Sequence, residues 1–293
     1  MSTVASSNPN RSKRKIGAVG WRAKLPHGAL LFTLLYTSVV TGHEYWLSPI
    51  DYTIDVGEKL LVDIRNGENF VGSSFPYQSE KFNELTIVGN GVSTPIISRL
   101  GDYPAIHPTI DFPGLYSIVL SSTERALIYD EWDKFQAFLT YHGLDRYVEK
   151  HKSLRFPMSG IKEQYFRYAK TFVYAGDSDS NRFALSVQDV ELLNRKHGQE
   201  LEIVLTNNPL SSTRSIELEL LYRGEPLANR QVELFSKDST VQRVVTTTDA
   251  LGKARFDNII KGEHLLNAVH MVESTRRGAH WMTLWASVTL STF

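Results

Sequence analysis

Cysteine is absent from all 293 residues, which excludes disulfides, a disulfide-linked partner, thiolate metal ligands, c-type haem attachment and a lipid anchor on cysteine. Stability must come from packing, and a bound metal must take nitrogen and oxygen donors, which suit nickel, copper, cobalt or zinc. Also missing are a Gly-x-Ser-x-Gly elbow, a phosphate-binding loop, a His-Glu-x-x-His helix and a Rossmann glycine fingerprint, so hydrolase and nucleotide chemistry lack support. Positive charge is scarce past the first 42 residues. The six charges Arg11, Lys13, Arg14, Lys15, Arg22 and Lys24 are all basic, leaving 26 Lys and Arg against 32 Asp and Glu, about −6. That balance disfavours nucleic acid as a partner.

What is present begins with those basic residues, followed by an apolar run from Ala29 to Val40. At roughly a dozen residues the run suits a secretory signal core and falls short of the ~20 needed to span a bilayer. Val40 and Gly42 supply the small residues a signal peptidase reads, so residues 1–42 read as a signal peptide cleaved after Gly42, with export to the periplasm. An uncleaved leader would tether the chain to the inner membrane. Cleavage frees an α-amine on His43, and amine and imidazole of one residue close a chelate ring on a metal.

The remaining roughly 250 residues suffice for one large or two ordinary domains. From 43 to 130 the chain reads as short strands. Leu60, Val62 and Ile64 alternate, Leu85 to Val88 and Leu115 to Leu120 are apolar and β-branched, and Asn66-Gly67, Asn90-Gly91, Gly101-Asp102 and Pro113-Gly114 punctuate them. Over 131–182 the period becomes helical. Trp132, Phe135, Phe138, Leu139 and His142 form one helix stopped at Gly143; a second covers Lys162 to Ala169, with Glu163 and Arg167 as an i,i+4 ion pair. The polar run Gly176 to Asn181 reads as a linker. From 183 to 293 the pattern returns to β: Leu201 to Leu205, Ile216 to Leu220, Val232 and Leu234, Val241 to Val245, and Trp281 to Leu290. The expected architecture is mainly β: two β-sandwich domains, the C-terminal one immunoglobulin- or transthyretin-like, with a short helical insert between them.

His43 heads the candidate metal ligands. In a histidine brace the terminal amine and one imidazole nitrogen bind the metal and a second histidine completes the set; deprotonated backbone amides offer a square-planar alternative. Alternation places His264, Leu266, Ala268 and His270 on one strand face and Leu265, Val269 and Met271 on the other, and His270 is the first candidate for second ligand. His280 would lie near the tip of the same hairpin, within reach of His270. His107, between Ile106 and Pro108, qualifies if it faces the amino terminus. His142, His151 and His197 read as solvated helix-end or loop histidines, and Trp46, Trp281 and Trp285 as core.

Six segments fall in register with a known family: His43-Glu44-Tyr45-Trp46-Leu47-x-Pro49, Glu163-x-Tyr165-x-Arg167-Tyr168-x-Lys170, Leu221-Tyr222-x-Gly224-x-Pro226-Leu227, Thr248-Asp249-x-x-Gly252-x-Ala254-x-Phe256, Ala268-Val269-His270-Met271 and Trp285-Ala286-Ser287-x-Thr289. In this order they resemble the exported family of unknown function grouped with the NikM-like periplasmic components of nickel and cobalt uptake. The resemblance implies a two-part β-rich periplasmic protein of a Gram-negative bacterium that binds or transports a transition metal at its amino-terminal histidine. A membrane transporter is the implied partner. The sequence thus sets up three readings: a periplasmic nickel, cobalt or copper binding protein, a structural or adhesive sandwich without metal, and a copper mono-oxygenase-like enzyme built on a histidine brace.

Overall fold

The computed structural model describes residues 43–176, 185–210 and 214–292. The expected leader and the linker residues Asp177 to Asn181 lie outside the described residues. In chain order the strands are β1 (Glu44–Pro49), β2 (Thr53–Ile54), β3 (Val62–Glu68), β4 (Val71–Phe75), β5 (Phe82–Gly89), β6 (Val92–Pro95), β7 (Gly114–Ser122) and β8 (Arg125–Tyr129). Helices α1 (Trp132–Tyr141) and α2 (Arg146–Ser153) follow, then β9 (Ile161–Ala175) and α3 (Val187–Leu193). The chain closes with β10 (Leu201–Leu205), β11 (Ser215–Tyr222), β12 (Glu225–Pro226), β13 (Gln231–Lys237), β14 (Val241–Thr247), β15 (Lys253–Asp257), β16 (Gly262–Glu273) and β17 (Trp281–Thr292). The protein is mainly β, as expected. Among the described residues no helix is long and apolar enough to cross a bilayer.

A central sheet of ten strands organises everything else. Its main path runs β14-β13-β16-β17-β9-β7-β5-β6, with β2 and β8 also pairing β9. Strands from the segments read as separate sandwiches therefore enter one sheet, and the two sandwich cores lie on its opposite faces. On one face Val119, Tyr168, Phe172, Leu266, Ala268, Leu284 and Val288 pack against Leu201, Ile203, Ile216 and Leu218 of the sheet formed by β10, β11, β12 and β15. On the other face Ile118, Leu120, Ala169 and Val173 pack against Leu47, Val62 and Ile64 of the sheet β1-β3-β4. The same side carries α1 and α2, whose Phe135, Phe138, Leu139 and Tyr147 cover Met271, Trp281 and Trp285. Each fully buried aliphatic or aromatic side chain contributes roughly 1.5–3 kcal/mol, so a cysteine-free chain has ample apolar burial to hold three layers.

Several expectations from the sequence are met. The first helix ends at Tyr141, His142 caps it, and Gly143 takes φ +64° as a left-handed stop. Asn90-Gly91 and Arg223-Gly224 are two-residue hairpin turns with positive φ at both positions. The second helix is a correction: 162–169 belongs to the 15-residue strand β9, which pairs β17 in parallel and β7 and β8 antiparallel. Glu163 and Arg167 form no ion pair there. In a strand they stand about 13 Å apart at ~3.3 Å per residue, and the Glu163 carboxylate instead accepts from Thr283 Oγ1 at 2.5 Å. Helices α2 and α3 were not anticipated. Asn66-Gly67 is not a turn but part of β3: a Cβ on Gly67 would lie 2.0 Å from the Val71 carbonyl oxygen, so glycine lets β3 and β4 close up.

Candidate functional site

The amino-terminal edge is where buried polar chemistry concentrates. His43 is exposed and directly precedes β1, a strand held in place by its ladder to β3 and by β17. Ser287 Oγ donates to the Tyr45 carbonyl at 2.7 Å and Thr289 Oγ1 to the Leu47 carbonyl at 2.6 Å. Tyr45 and Leu47 point to the core under the β1-β3-β4 sheet, while Trp46 points the other way, meeting Phe70 edge-on at 5.5 Å beside Phe235 and Leu265. Phe70 and Asn69 form the β3–β4 turn with φ of 59° and 53°. A left-handed phenylalanine is costly, by about 1 kcal/mol or more, and burial against Trp46 offsets it.

Glu44 shares the Trp46 side and is fully buried. Burial, followed by repulsion from Glu233, raises its pKa to about 8. The amides of Glu44 and Asn69 temper that rise, yet neither carboxyl oxygen has a partner at hydrogen-bonding geometry. Glu233 on β13 is equally buried but behaves oppositely. Burial pushes it up, and the adjacent His142 with hydrogen bonds from Arg243 and Asn267 more than reverses this, to about 2. Arg243 Nη2 lies 2.6 Å from Glu233 Oε1, Asn267 Nδ2 donates to Oε2 at 2.6 Å and Gln231 Nε2 to Oε1 at 3.0 Å. His142 Nδ1 stands 3.4 Å from Glu233 Oε1, close enough for an ion pair but outside hydrogen-bonding geometry. Its ring is walled by Trp285 at 4.8 Å and Phe138 at 5.3 Å. Tyr141 OH donates to Asn69 Oδ1 at 3.1 Å, tying α1 to the β3–β4 turn.

His142 and His151 are therefore corrections to the solvated reading. His142 is buried as described, and His151 is buried with Nδ1 accepting from Trp281 Nε1 and Nε2 at 3.0 Å from the Pro157 carbonyl. The three tryptophans read as core are core.

The candidate ligands are not gathered. His270 lies on the face of β16 that carries Leu266 and Ala268, opposite the face on which β1 rests, so the central sheet separates it from His43. Its ring meets Tyr222 at 4.6 Å and its Nδ1 accepts from Arg230 Nε at 3.3 Å. Burial, then the positive charges of Arg230, Arg146 and Arg223, lower its pKa to about 4. His280 is at the β16–β17 tip as expected, but Nδ1 accepts from the Lys162 amide at 2.8 Å and the ring packs on Phe156. His270 pairs with Leu284, four strand positions from His280, about 13 Å along the strand. These two do not meet. His107 Nε2 lies 3.0 Å from Asp102 Oδ2 and lines a groove of about 620 Å³ beside β5 and β6, where it holds a loop. Among the described residues no three His, Asp or Glu side chains form a metal-ligating group.

One carboxylate near His43 carried no signal in the sequence. The β1–β3 ladder ends with Glu44 opposite Gly67; the next residue on each side, His43 ahead of β1 and Glu68 at the end of β3, is exposed. Imidazole and carboxylate supply two donors; an α-amine on His43 would supply the third, all nitrogen and oxygen.

These features define a three-layer β-sandwich protein whose first strand is anchored over a buried carboxylate pair. The chain belongs to DUF4198, a domain of unknown function, whose family profile matches residues 40–272. No curated protein matches it. Among solved structures it aligns with the D0-D1 domain of intimin at 11% identity and TM-score 0.20, over 84% of this chain and 97% of that one. It also aligns with a tetra-tandem repeat from the extending region of a large adhesion protein, at 10% identity and TM-score 0.19 over 85% and 49%. A third alignment is to dimeric latent PorU from Porphyromonas gingivalis, at 10% identity and TM-score 0.19 over 90% and 21%. At such scores these likenesses carry no inference about fold or function.

Proposed function

We propose that this is an exported protein that captures a divalent transition metal, nickel, cobalt or copper, at a processed amino terminus, as a NikM-like component of metal uptake or handling. The ligands are the α-amine and imidazole of His43, with Glu68 as the neighbouring carboxylate. The observation that carries the reading is the placement of His43: exposed, one residue ahead of a strand seated on the central sheet, at the end of the β1–β3 ladder where β3 closes with the exposed Glu68. A rigid strand start pre-organises a chelate that a loose terminus would have to order on binding. The family match starts at residue 40, three residues ahead of His43, so the basic residues and nearly all of the apolar run fall outside it. The metal is cargo. A transporter in the inner or outer membrane receives it, and the periplasm is the compartment.

A second reading is a sandwich module without metal, favoured by the fact that His107, His270 and His280 each have a local hydrogen-bonding or ion-pair role. The mono-oxygenase reading needs a second histidine beside His43, and neither His270, His280 nor His107 takes that place.

Native protein recovered after export separates the two. The proposal expects an intact mass beginning at His43 and one equivalent of metal per chain. It further expects loss of metal in His43→Ala, at least tenfold weaker binding in Glu68→Gln, and no change in His270→Ala. Because protons compete with metal for imidazole and amine, affinity falls as pH drops. A different first residue, or metal retained by His43→Ala, overturns the proposal in favour of the metal-free module.

A further inference from the structure

A second site lies on the same face of the central sheet, between β1, β3, β8 and β9. There a cavity of about 260 Å³ is lined by Tyr45, Lys81, Phe82, Arg125, Tyr165 and Arg167, among others. Its charge is one-sided: three cationic side chains line it and no carboxylate does. The Arg167 guanidinium sits between two aromatic rings, 5.0 Å from the centroid of Tyr45 and 5.0 Å from that of Tyr165. Its backbone amide is fixed by Ser122 Oγ at 2.9 Å, so the strand position of the residue is set. Its Nε is shielded from solvent and has no acceptor among protein atoms. Among the described residues none of Lys81, Arg125 and Arg167 is in an ion pair, in contrast to Arg65 with Asp63 and Arg243 with Glu233.

Burying a guanidinium donor without an acceptor is unfavourable, and proteins normally satisfy such groups. The rings explain part of the arrangement, since cation–π contact holds the guanidinium plane. Its Nη groups donate no hydrogen bond to any described residue, which leaves them to a ligand in the cavity. A planar fork of N–H groups held between aromatic walls matches a carboxylate bidentately. The aromatic walls, with Phe75 and Phe82 at the sides, match a flat apolar body, and the volume allows a single ring rather than a peptide or polysaccharide.

We propose that this cavity is a binding site for a small aromatic carboxylate, its carboxyl group held by Arg167 and Arg125 and its ring between the pocket tyrosines and phenylalanines. The site uses no metal ligand and stands independently of the reading of His43.

Calorimetric titration of the EDTA-treated exported protein tests this, with benzoate as the probe, benzamide as its neutral isostere and inorganic phosphate as the competing anion. Saturable one-to-one binding of benzoate is expected, with benzamide and phosphate at least tenfold weaker. Arg167→Gln is expected to abolish binding. Should that variant unfold, the half-exposed rim substitutions Arg125→Ala and Lys81→Ala keep the test open, Arg125→Ala weakening benzoate at least tenfold. Absence of saturable benzoate binding, equal binding of benzamide, phosphate binding as tight as benzoate, or an unaltered Arg125→Ala each overturns the proposal.

Discussion

At the scale of single residues, the buried pair Glu44 and Glu233 shows how environment divides two identical side chains. Glu233 has an arginine, an asparagine, a glutamine and a histidine around it and stays ionised; Glu44 has two backbone amides and stays protonated at neutral pH. A carboxyl group whose folded pKa is raised from 4.5 to about 8 contributes stability that is fully present below 4.5 and lost as pH rises through 8. Buried neutral histidines work in the other direction. His264 and His270, both lowered to about 4 by burial, make the fold lose stability as pH falls from 6.5 toward 4. Glu44→Gln isolates the first effect, because glutamine resembles the protonated acid at every pH. The melting temperature of metal-free Glu44→Gln should match wild type near pH 5 and exceed it by several degrees at pH 9, about 1 kcal/mol corresponding to roughly 2–4 °C in a chain of this size. Melts followed by circular dichroism between these limits check it; a difference independent of pH would remove the assignment of Glu44 as the raised acid.

At the scale of elements, β9 is the decisive strand, and its sequence reads as a helix over 162–169. Helix α1 was legible because only one of its faces is buried, and β16 because its two faces alternate cleanly into different cores. In β9 both faces are covered, and Glu163, Gln164, Lys170 and Thr171 are buried among the apolar residues, so period two is erased and Tyr165, Phe166 and Ala169 fall by chance at helical spacing. Site legibility divides in the same way. The placement of His43 ahead of a strand could be read locally, whereas Glu68, His142, Glu233 and the Arg167 cavity depend on strand register and layer contacts that no local pattern encodes. The buried polar residues of β9 also make it a sensitive element. Lys170 pairs with Glu202 of β10 at 2.8 Å with both side chains nearly inaccessible, and Glu202 also accepts from the amides of His197 and Gly198. Removing one partner of a buried pair costs roughly 3–5 kcal/mol. Lys170→Met should sit at the low end, since two amides still serve the carboxylate, and Glu202→Met at the high end, since it strands a cation and two donors. Urea midpoints should fall in that order, and a larger loss for Lys170→Met would show that the amides do not share the load.

At the scale of the whole molecule, the shared central sheet governs how the protein folds. Strand β17, the last of the described chain, lies between β16 and β9, and β9 lies between β17 and β7. A chain cut between residues 176 and 185 would leave 43–176 with residues 163–171 of β9 unpaired on one side and 185–292 with one side of β17 unpaired. Each exposed edge would carry a long row of free backbone donors and acceptors. The core between the β10-β11-β12-β15 sheet and the central sheet also takes Val119, Tyr168 and Phe172 from the first segment, so the second segment alone would open that core to water as well. Intact protein should therefore unfold in one cooperative transition, with calorimetric and van't Hoff enthalpies in agreement. Neither segment expressed alone should give a cooperative melt, whereas mixing the two should restore the native near-ultraviolet dichroism of the buried Trp46, Trp281 and Trp285. A cooperative melt from 185–292 by itself would mean that the C-terminal sandwich does not need β9, and that the two halves are joined through the sheet without depending on it.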